Sequence, residues 1–412
     1  PSVRMSAANT RLVDVDGDGI IGLLSTESTH HLLFRHNPGV GFEGPQAVER
    51  IHNLDQFPDV SFQDRNVKLG DMTGDGLQDM VVLRSGYVAY WPYLGNGSWG
   101  SRVVMMTPPS LPDGFREDRL HLIDIDGCGT SDVVYIDHSR VIVWFNQSGN
   151  GFTDPVEVPI GITNNGRVIP VDVYGNGRPG LAWNFPPSGI NHAGFLVLRF
   201  NPGVAPYLMQ QVDNGMGGRF QIQHTTSTEM RCHDKVEGRL WPGELPIVIH
   251  VVEAIYDIDT VTGRKSERHI RYHDGVWDGL QREFRGFSEV DVITPGDESI
   301  PTNRQTVTHF TGDPHHPDAL ERTRQRALVG AVEATNTFEL IDSGWDLIKQ
   351  SHQTWATRTE FDDGVNQVLF PHVTRIETIE HGRSDPNIID TAEFHDFDEF
   401  GNPGRRTRHS HP

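Results

Sequence analysis

Cysteine is nearly absent from this 412-residue chain, which has only Cys128 and Cys232. Two such residues make no disulfide framework, so a fold of this length must rest on a buried core. Long hydrophobic runs are missing as well. The longest candidate, from Leu245 to Tyr256, is interrupted by His250 and Glu253. It falls well short of the roughly 18 apolar residues a membrane helix needs, so no direct membrane insertion is expected. Positive charge is scarce: 35 Lys and Arg stand against 56 Asp and Glu, for a net charge of −21. A surface of that sign repels phosphate backbones and anionic lipid, which argues against nucleic acid as a partner. A leader segment is lacking too, and Pro1 falls close to the middle of a repeat, so the chain reads as an excerpt of a longer protein.

Catalytic patterns are missing in the same way. There is no Gly-x-Ser-x-Gly elbow, no His-Glu-x-x-His pair and no phosphate loop. Asp278 and Glu283 could be a carboxylate pair, but beside Trp277, Arg282, Phe284 and Arg285 they read as ion-paired strand residues. The 21 histidines include the pairs His30-His31 and His315-His316. Neighbours in a strand point to opposite faces and cannot share a metal, so a collective buffering of negative charge at acidic pH is the expected role. The chain is read as non-enzymatic.

What is abundant is glycine, 43 residues, with 26 prolines and only 36% hydrophobic residues. That balance suits turn-rich β structure. The organising stretch is Asp71-Met72-Thr73-Gly74-Asp75-Gly76-Leu77-Gln78-Asp79, ahead of the apolar run Met80-Val81-Val82-Leu83. Oxygen donors at its first, third, fifth and ninth positions, a glycine at the sixth and a carbonyl at the seventh are what a loop needs to wrap a hard cation. Asp71, Thr73, Asp75, the Leu77 carbonyl and Asp79 are therefore expected to converge on structural Ca²⁺. Degraded copies surround this loop. Asp14, Asp16 and Asp18 form a second candidate whose ninth position is Gly22, not an acid. The copy at 124–132 has both end acids but places Cys128, a soft donor, at the fifth position. The copy at Asp172 keeps little beyond its glycines and is expected to be a bare turn. Tight turns held by aspartate–amide hydrogen bonds are the alternative for all four loops.

The first aspartates are 57, 53 and 48 residues apart, a period that marks a propeller or solenoid. Each loop is followed by an apolar strand and then a strand ending at a polar glycine turn, as at Tyr90–Gly97 and Val143–Phe152. The expected fold is all-β, with four-stranded propeller blades over residues 1–215 and missing blades upstream. The turns at Gly95-Asn96-Gly97 and Gly149-Asn150-Gly151 are the expected binding rim. The period stops near Asp213-Asn214-Gly215, where the domain boundary is placed. Residues 219–256 read as extended segments. Beyond 257 come threonine-rich paired strands forming a broad sheet with one wet face, and a single helix over Asp318–Val329.

These blades resemble FG-GAP-type calcium-loop repeats. A second resemblance is carried by Tyr272-His273-Asp274-Gly275-Val276-Trp277-Asp278-Gly279-Leu280-Gln281-Arg282-Glu283-Phe284-Arg285-Gly286-Phe287. It is similar to a signature of the B component of bacterial insecticidal toxin complexes, also found in Salmonella virulence-plasmid B-type proteins. Asp213–Gly217 and Ser227-Thr228 resemble that family's exit from its propeller. Phe397-Asp398-Glu399-Phe400-Gly401-Asn402 resembles an RHS/YD repeat, Tyr-Asp-x-x-Gly-Asn, with phenylalanine in place of tyrosine. The resemblance implies a secreted assembly component with an RHS-type β-sheet shell over residues 216–412. It also implies a propeller that docks onto and gates a pore-forming A component, and a C component whose cytotoxic effector is enclosed and translocated. Two rival readings are an adhesin-like propeller, and the front part of a virulence protein whose ADP-ribosyltransferase lies beyond this chain.

Overall fold

The computed structural model describes every residue except 1–3, 38–39, 51–54, 161–166, 186–193, 201–204, 244, 280, 282, 314–315, 365–366, 383–386 and 412. The fold is all-β, as expected. Contacts divide the chain into two units, Pro1–Leu208 and Met209–Pro412.

Among the described residues, the first unit forms four antiparallel blades in sequence order. The first blade pairs Thr10–Val13, Gly22–Thr26, His30–Asn37 and Gly41–Glu49. The second pairs Val67–Gly70, Asp79–Arg84, Tyr87–Trp91 and Val103–Val104, with a small hairpin, Tyr93–Gly95 and Ser98–Trp99, before its last strand. Leu120–Ile123, Asp132–Ile136, Arg140–Trp144 and Val156–Pro159 make the third. The fourth has three strands among the described residues: Arg167–Val171, Gly180–Phe185 and Gly194–Leu198. Each aspartate loop joins the first strand of a blade to the second.

The second strands are buried on both faces along most of their length, and wholly so at Gly22–Thr26 and Asp132–Ile136. Such strands read as continuous apolar runs without alternation. The core therefore lies between blades, one cluster per seam. Val13, Leu24, Leu33, Met80, Val82 and Trp91 fill the first seam. Val81, Leu83, Val133, Tyr135 and Trp144 fill the second, and Val134, Ile136, Leu181 and Trp183 the third. Full burial of one such side chain contributes about 1.5–3 kcal/mol, so each seam is a substantial stabilising layer.

The second unit is an eleven-stranded antiparallel sheet whose strands follow one another in chain order, from Gln211–Asp213 to Pro403–His411. Register shifts near Gln223, Val276, Thr308, Thr337, Thr354 and Thr359 introduce bulges that bend and twist it. Most side chains from Val332 to Glu380 are half-buried, in keeping with a thin, threonine-rich sheet. The YD-like turn has a physical basis. Asp398 accepts from the Phe400 and Asn402 amides at 2.9 and 2.7 Å and from Asn402 Nδ2 at 3.0 Å, while Gly401 turns at φ +84°. A Cβ on Gly401 would lie 2.4 Å from the Phe370 ring, so glycine is required there twice over.

The helix expected over 318–329 is Ala319–Ala327, with Asp318 capping it through the Leu320 and Glu321 amides. Residues 219–256, expected to be wholly extended, contain a second helix, α1, at Ser227–Val236. Its start is marked by Thr226, whose hydroxyl accepts from the Glu229 amide at 3.2 Å. Thr-x-x-Glu is a capping signature, and it was present in the sequence. Among the described residues no helix is long and apolar enough to cross a membrane.

Candidate functional site

In all four loops the first aspartate grips the loop's own backbone. Asp71 accepts from the Gly74 and Gly76 amides at 2.6 and 2.7 Å. Asp14 does the same with Gly17 and Gly19 at 2.5 and 2.8 Å, and Asp124 with Gly127 and Gly129 at 2.7 and 2.9 Å. Asp172 accepts from Gly177 at 2.7 Å. Fifth-position oxygens hold amides two residues on, Asp75 from Leu77 at 2.9 Å and Asp18 from Ile20 at 2.7 Å. These are aspartate turns that close without help.

The ninth position departs from the expectation of a closing ligand. Asp79 is fully buried and turned into the blade, with Oδ1 accepting from the Tyr93 amide at 2.7 Å and Oδ2 from the Met72 amide at 2.9 Å. Asp132 repeats this one blade later, taking the Asn146 amide at 2.8 Å and the Ile125 amide at 3.0 Å. The side chains of Tyr93 and Asn146 then reach the preceding blade. Tyr93 Oη donates to the Val15 carbonyl at 2.5 Å, and Asn146 Nδ2 to the Met72 carbonyl at 3.3 Å. Both acceptors are the second residue of the preceding loop. The ninth aspartate is thus a strut tying its own loop to a side chain that crosses the seam.

Where the strut is absent, the backbone explains why. A Cβ on Gly22 would lie 2.5 Å from the Phe34 carbonyl oxygen, and one on Gly180 2.4 Å from that of Leu198. The third strand closes in until only glycine fits.

Burial pushes the Asp79 and Asp132 carboxyls up to about 7, against the pull of their amide partners and with help from the nearby loop acids. Asp18 is also raised, first by burial and then by Asp16 and Asp14.

Three-donor clusters occur at two loops. Asp14, Asp16 and Asp18 bring carboxylate oxygens within 4.8 Å of one another, as do Asp124, Asp126 and the Cys128 thiol. With hard oxygens throughout, the first cluster suits Ca²⁺, although Arg35 already sits 3.3 Å from Asp16. Cys128 instead contacts the Thr130 hydroxyl at 3.0 Å, and Tyr207 donates to Asp126 at 2.9 Å. At 71–79 the structure leaves Asp71, Thr73, Asp75 and the Leu77 carbonyl without Asp79. Of the histidine pairs, His315 lies outside the described residues. His31 is core, stacked on Phe57 at 4.7 Å with Nε2 3.0 Å from the Pro58 carbonyl oxygen.

The two glycine turns expected to form a free rim are wedged into neighbouring blades instead. A Cβ on Gly97 would lie 2.4 Å from Val48, and the Asn96 amide donates to the Val15 carbonyl at 3.1 Å. Tyr90 donates to the Gly149 carbonyl at 3.1 Å, and the Met106 amide to that of Asn150 at 2.7 Å. These turns are seam contacts and cannot be re-aimed without opening the core.

A feature the motif reading missed lies on the first strands, three residues before the first three loops: Arg11, Lys68 and His121. Lys68 donates to the Glu117 carbonyl at 3.0 Å. Burial, then the Arg11 charge, brings its ammonium down to about 8, and burial with Lys68 beyond it brings His121 down to about 4. The equal offset from Asp14, Asp71 and Asp124 was the available signal.

In the second unit, the signature stretch encloses a buried ion pair between Asp278 and Arg285, 1% and 5% exposed. Phe287 packs against Trp241, Tyr272 and Phe284 at ring distances of 6.0, 4.9 and 5.1 Å. Phe287 is buried in this core, with Tyr272 and Phe284 partly buried against it.

The described residues thus hold blades strutted across their seams and a large antiparallel sheet, with no catalytic constellation among them. The family model for the insecticide toxin TcdB middle/N-terminal region matches residues 146–312. The chain resembles the B component of insecticidal toxin complexes. Its fold is similar to a chain of the Photorhabdus luminescens Tc holotoxin pore, with TM-score 0.76, 21% identity, and coverage of 99% of this chain and 21% of that one. It is also similar to the TcdB2–TccC3 structure, at TM-score 0.73 and 18% identity, covering 98% of this chain and 27% of that one. This chain therefore spans about a fifth to a quarter of the length of the solved chains it matches. No curated protein matches it by sequence.

Proposed function

We propose that this chain is the docking and shell-forming part of a toxin-complex B component, acting in a secreted assembly. The propeller unit binds the pore-forming A component and gates passage. The sheet unit contributes to a shell around the cytotoxic effector supplied by the C component. The observation carrying this reading is that the likeness to the holotoxin pore chain runs over 99% of this chain and so includes both units. The family match at 146–312 also crosses the division at Leu208. A gate can respond to docking only if the partner prefers the open arrangement by a real difference in affinity. Mixing the chain with labelled A and C components, followed by analytical ultracentrifugation, tests the proposal. Comigration with both supports it, and comigration with neither overturns it.

Ca²⁺, where bound, is assigned a structural role, first at Asp14, Asp16 and Asp18 and second at Asp71, Thr73, Asp75 and the Leu77 carbonyl. It would neutralise clustered carboxylates at the start of a blade.

A further inference from the structure

The buried core of the second unit lies under a flap. The chain leaves the sheet at Ser227 and rejoins it beyond Ile249, and these two residues are stitched together. The Ser227 amide donates to the Ile249 carbonyl at 2.8 Å, and the Ile249 amide to Ser227 Oγ at 3.0 Å. Between them, α1 and the segment to Trp241 pack on the strands His250–Asp259, Lys265–Asp278 and Glu283–Thr294, where Trp241, Val251 and Phe287 are buried with Met230 and Tyr272 against them.

What fastens the flap is polar. Asp234 of α1 is 3% exposed, and it accepts from Trp241 Nε1 at 2.6 Å. His273, on the strand Lys265–Asp278, places Nδ1 2.9 and 2.8 Å from the two Asp234 oxygens. Its other nitrogen, Nε2, faces Asp291 Oδ2 at 3.7 Å, an ion-pair distance too long for a hydrogen bond. Asp291 in turn accepts from the Thr306 hydroxyl. A neutral imidazole has one N–H and one lone pair, so with carboxylates at both nitrogens it would aim that lone pair at an anion. The ring position therefore calls for the doubly protonated form.

The surrounding charges agree. Arg239, beyond α1, pairs with Asp274 and, at 2.6 Å, with Glu289. Arg271 pairs with Glu237 at 3.3 Å, and Arg304 adds its field near Asp291. Asp234 and Asp291 face the ring, while Asp274 and Glu289 are held by Arg239. Without a proton on His273, Asp234 and Asp291 would face an uncharged ring, with Arg239 and Arg304 as the cations near them.

We propose that residues 227–241 form a proton-latched flap, held onto the sheet by imidazolium His273 between Asp234 and Asp291 and released when that proton is lost. Burial opposes the proton, but Asp291 and Asp234 outweigh it and hold the His273 pKa above the ordinary histidine value. For a histidine raised in the closed state, the latch is complete below the open-state pKa of about 6.5 and is lost as pH climbs through the closed-state value. Release would lift Trp241 away and uncover the apolar face formed by Val251, Tyr272 and Phe287.

Hydrogen–deuterium exchange on the full chain, corrected for the intrinsic pH dependence of exchange, tests this. Protection of 227–241 should fall by about tenfold per pH unit above roughly pH 6.5, the limit for one coupled proton. Protection in Gly344–Asp362 and Gln367–Glu380 should hold. His273→Gln should show weak protection at every pH, with the slope gone. A flat profile in the parent, the same slope in His273→Gln, or simultaneous loss of protection in all strands would overturn the proposal. Should His273→Gln fail to fold, Asp291→Asn serves in its place. Removing one carboxylate must move the release to lower pH, and an unchanged midpoint refutes the latch.

Discussion

Replacing Asp79 with asparagine changes one atom and separates the strut from the ligand reading. In the parent, two buried amides, those of Met72 and Tyr93, each point at a carboxylate oxygen at 2.9 and 2.7 Å. Asparagine offers one acceptor and an NH₂ group, so one buried N–H is left facing another donor. That costs about 1–3 kcal/mol, and alanine, which strands both amides, roughly twice as much. The pH dependence gives a second signature. Asp79 rises from 3.8 to about 7 on folding, chiefly through burial. An acid with a raised folded pKa contributes stability that is full below the unfolded value and is lost as pH rises through the folded one, here between about pH 4 and 7. A shift of that size corresponds to about 4 kcal/mol as an order of magnitude. Urea unfolding followed by tryptophan fluorescence at pH 5 and pH 8 reads both effects, since Trp91 and Trp99 lie in this seam. The parent should be more stable at pH 5, whereas Asp79→Asn should be destabilised at both values and show a shallower pH slope. A variant with parental midpoints at both pH values refutes the strut.

Three further outcomes follow from the same geometry. Gly22→Ala and Gly180→Ala push a methyl group to 2.5 and 2.4 Å from a strand carbonyl, so each should lose about 1–3 kcal/mol in chemical unfolding, with no recovery on adding calcium. Terbium luminescence should drop in an Asp14→Asn, Asp16→Asn, Asp18→Asn triple variant more than in Asp71→Asn, Asp75→Asn, and an equal drop would contradict the ranking of the two loops. Gly97→Ala meets both φ +79° and the Val48 side chain, and should lower the melting temperature of the first unit without altering the second.

The period of the loops, the blades and the paired strands beyond 257 were legible because each rests on local patterning. Loop aspartates, glycine turns and apolar second strands recur at fixed offsets. The direction of Asp79 was not legible from the loop motif, which records an oxygen at the ninth position but not the face it points to. Its place as the first residue of a strand buried on both sides was the clue, strengthened by Tyr93 and Asn146, each 14 residues beyond its aspartate. The glycine turns misled for a related reason. Polar turn chemistry at Gly95-Asn96-Gly97 looks the same whether the turn faces water or another blade, and only the contact with Val48 decides. Helix α1 was hidden by β-branched neighbours, although Thr226 and Glu229 form a capping signature. The His273 latch joins residues 39 positions apart, a separation that no local pattern reveals.

The assignment as a docking and shell component is tested most directly by binding to the pore-forming A component, measured by biolayer interferometry with the intact chain and with Pro1–Leu208 deleted. The account predicts that the intact chain binds, and that the deletion loses this binding while keeping its contact with the C component. A deletion that still binds the A component with the affinity of the intact chain would place the contact outside the propeller and contradict the account.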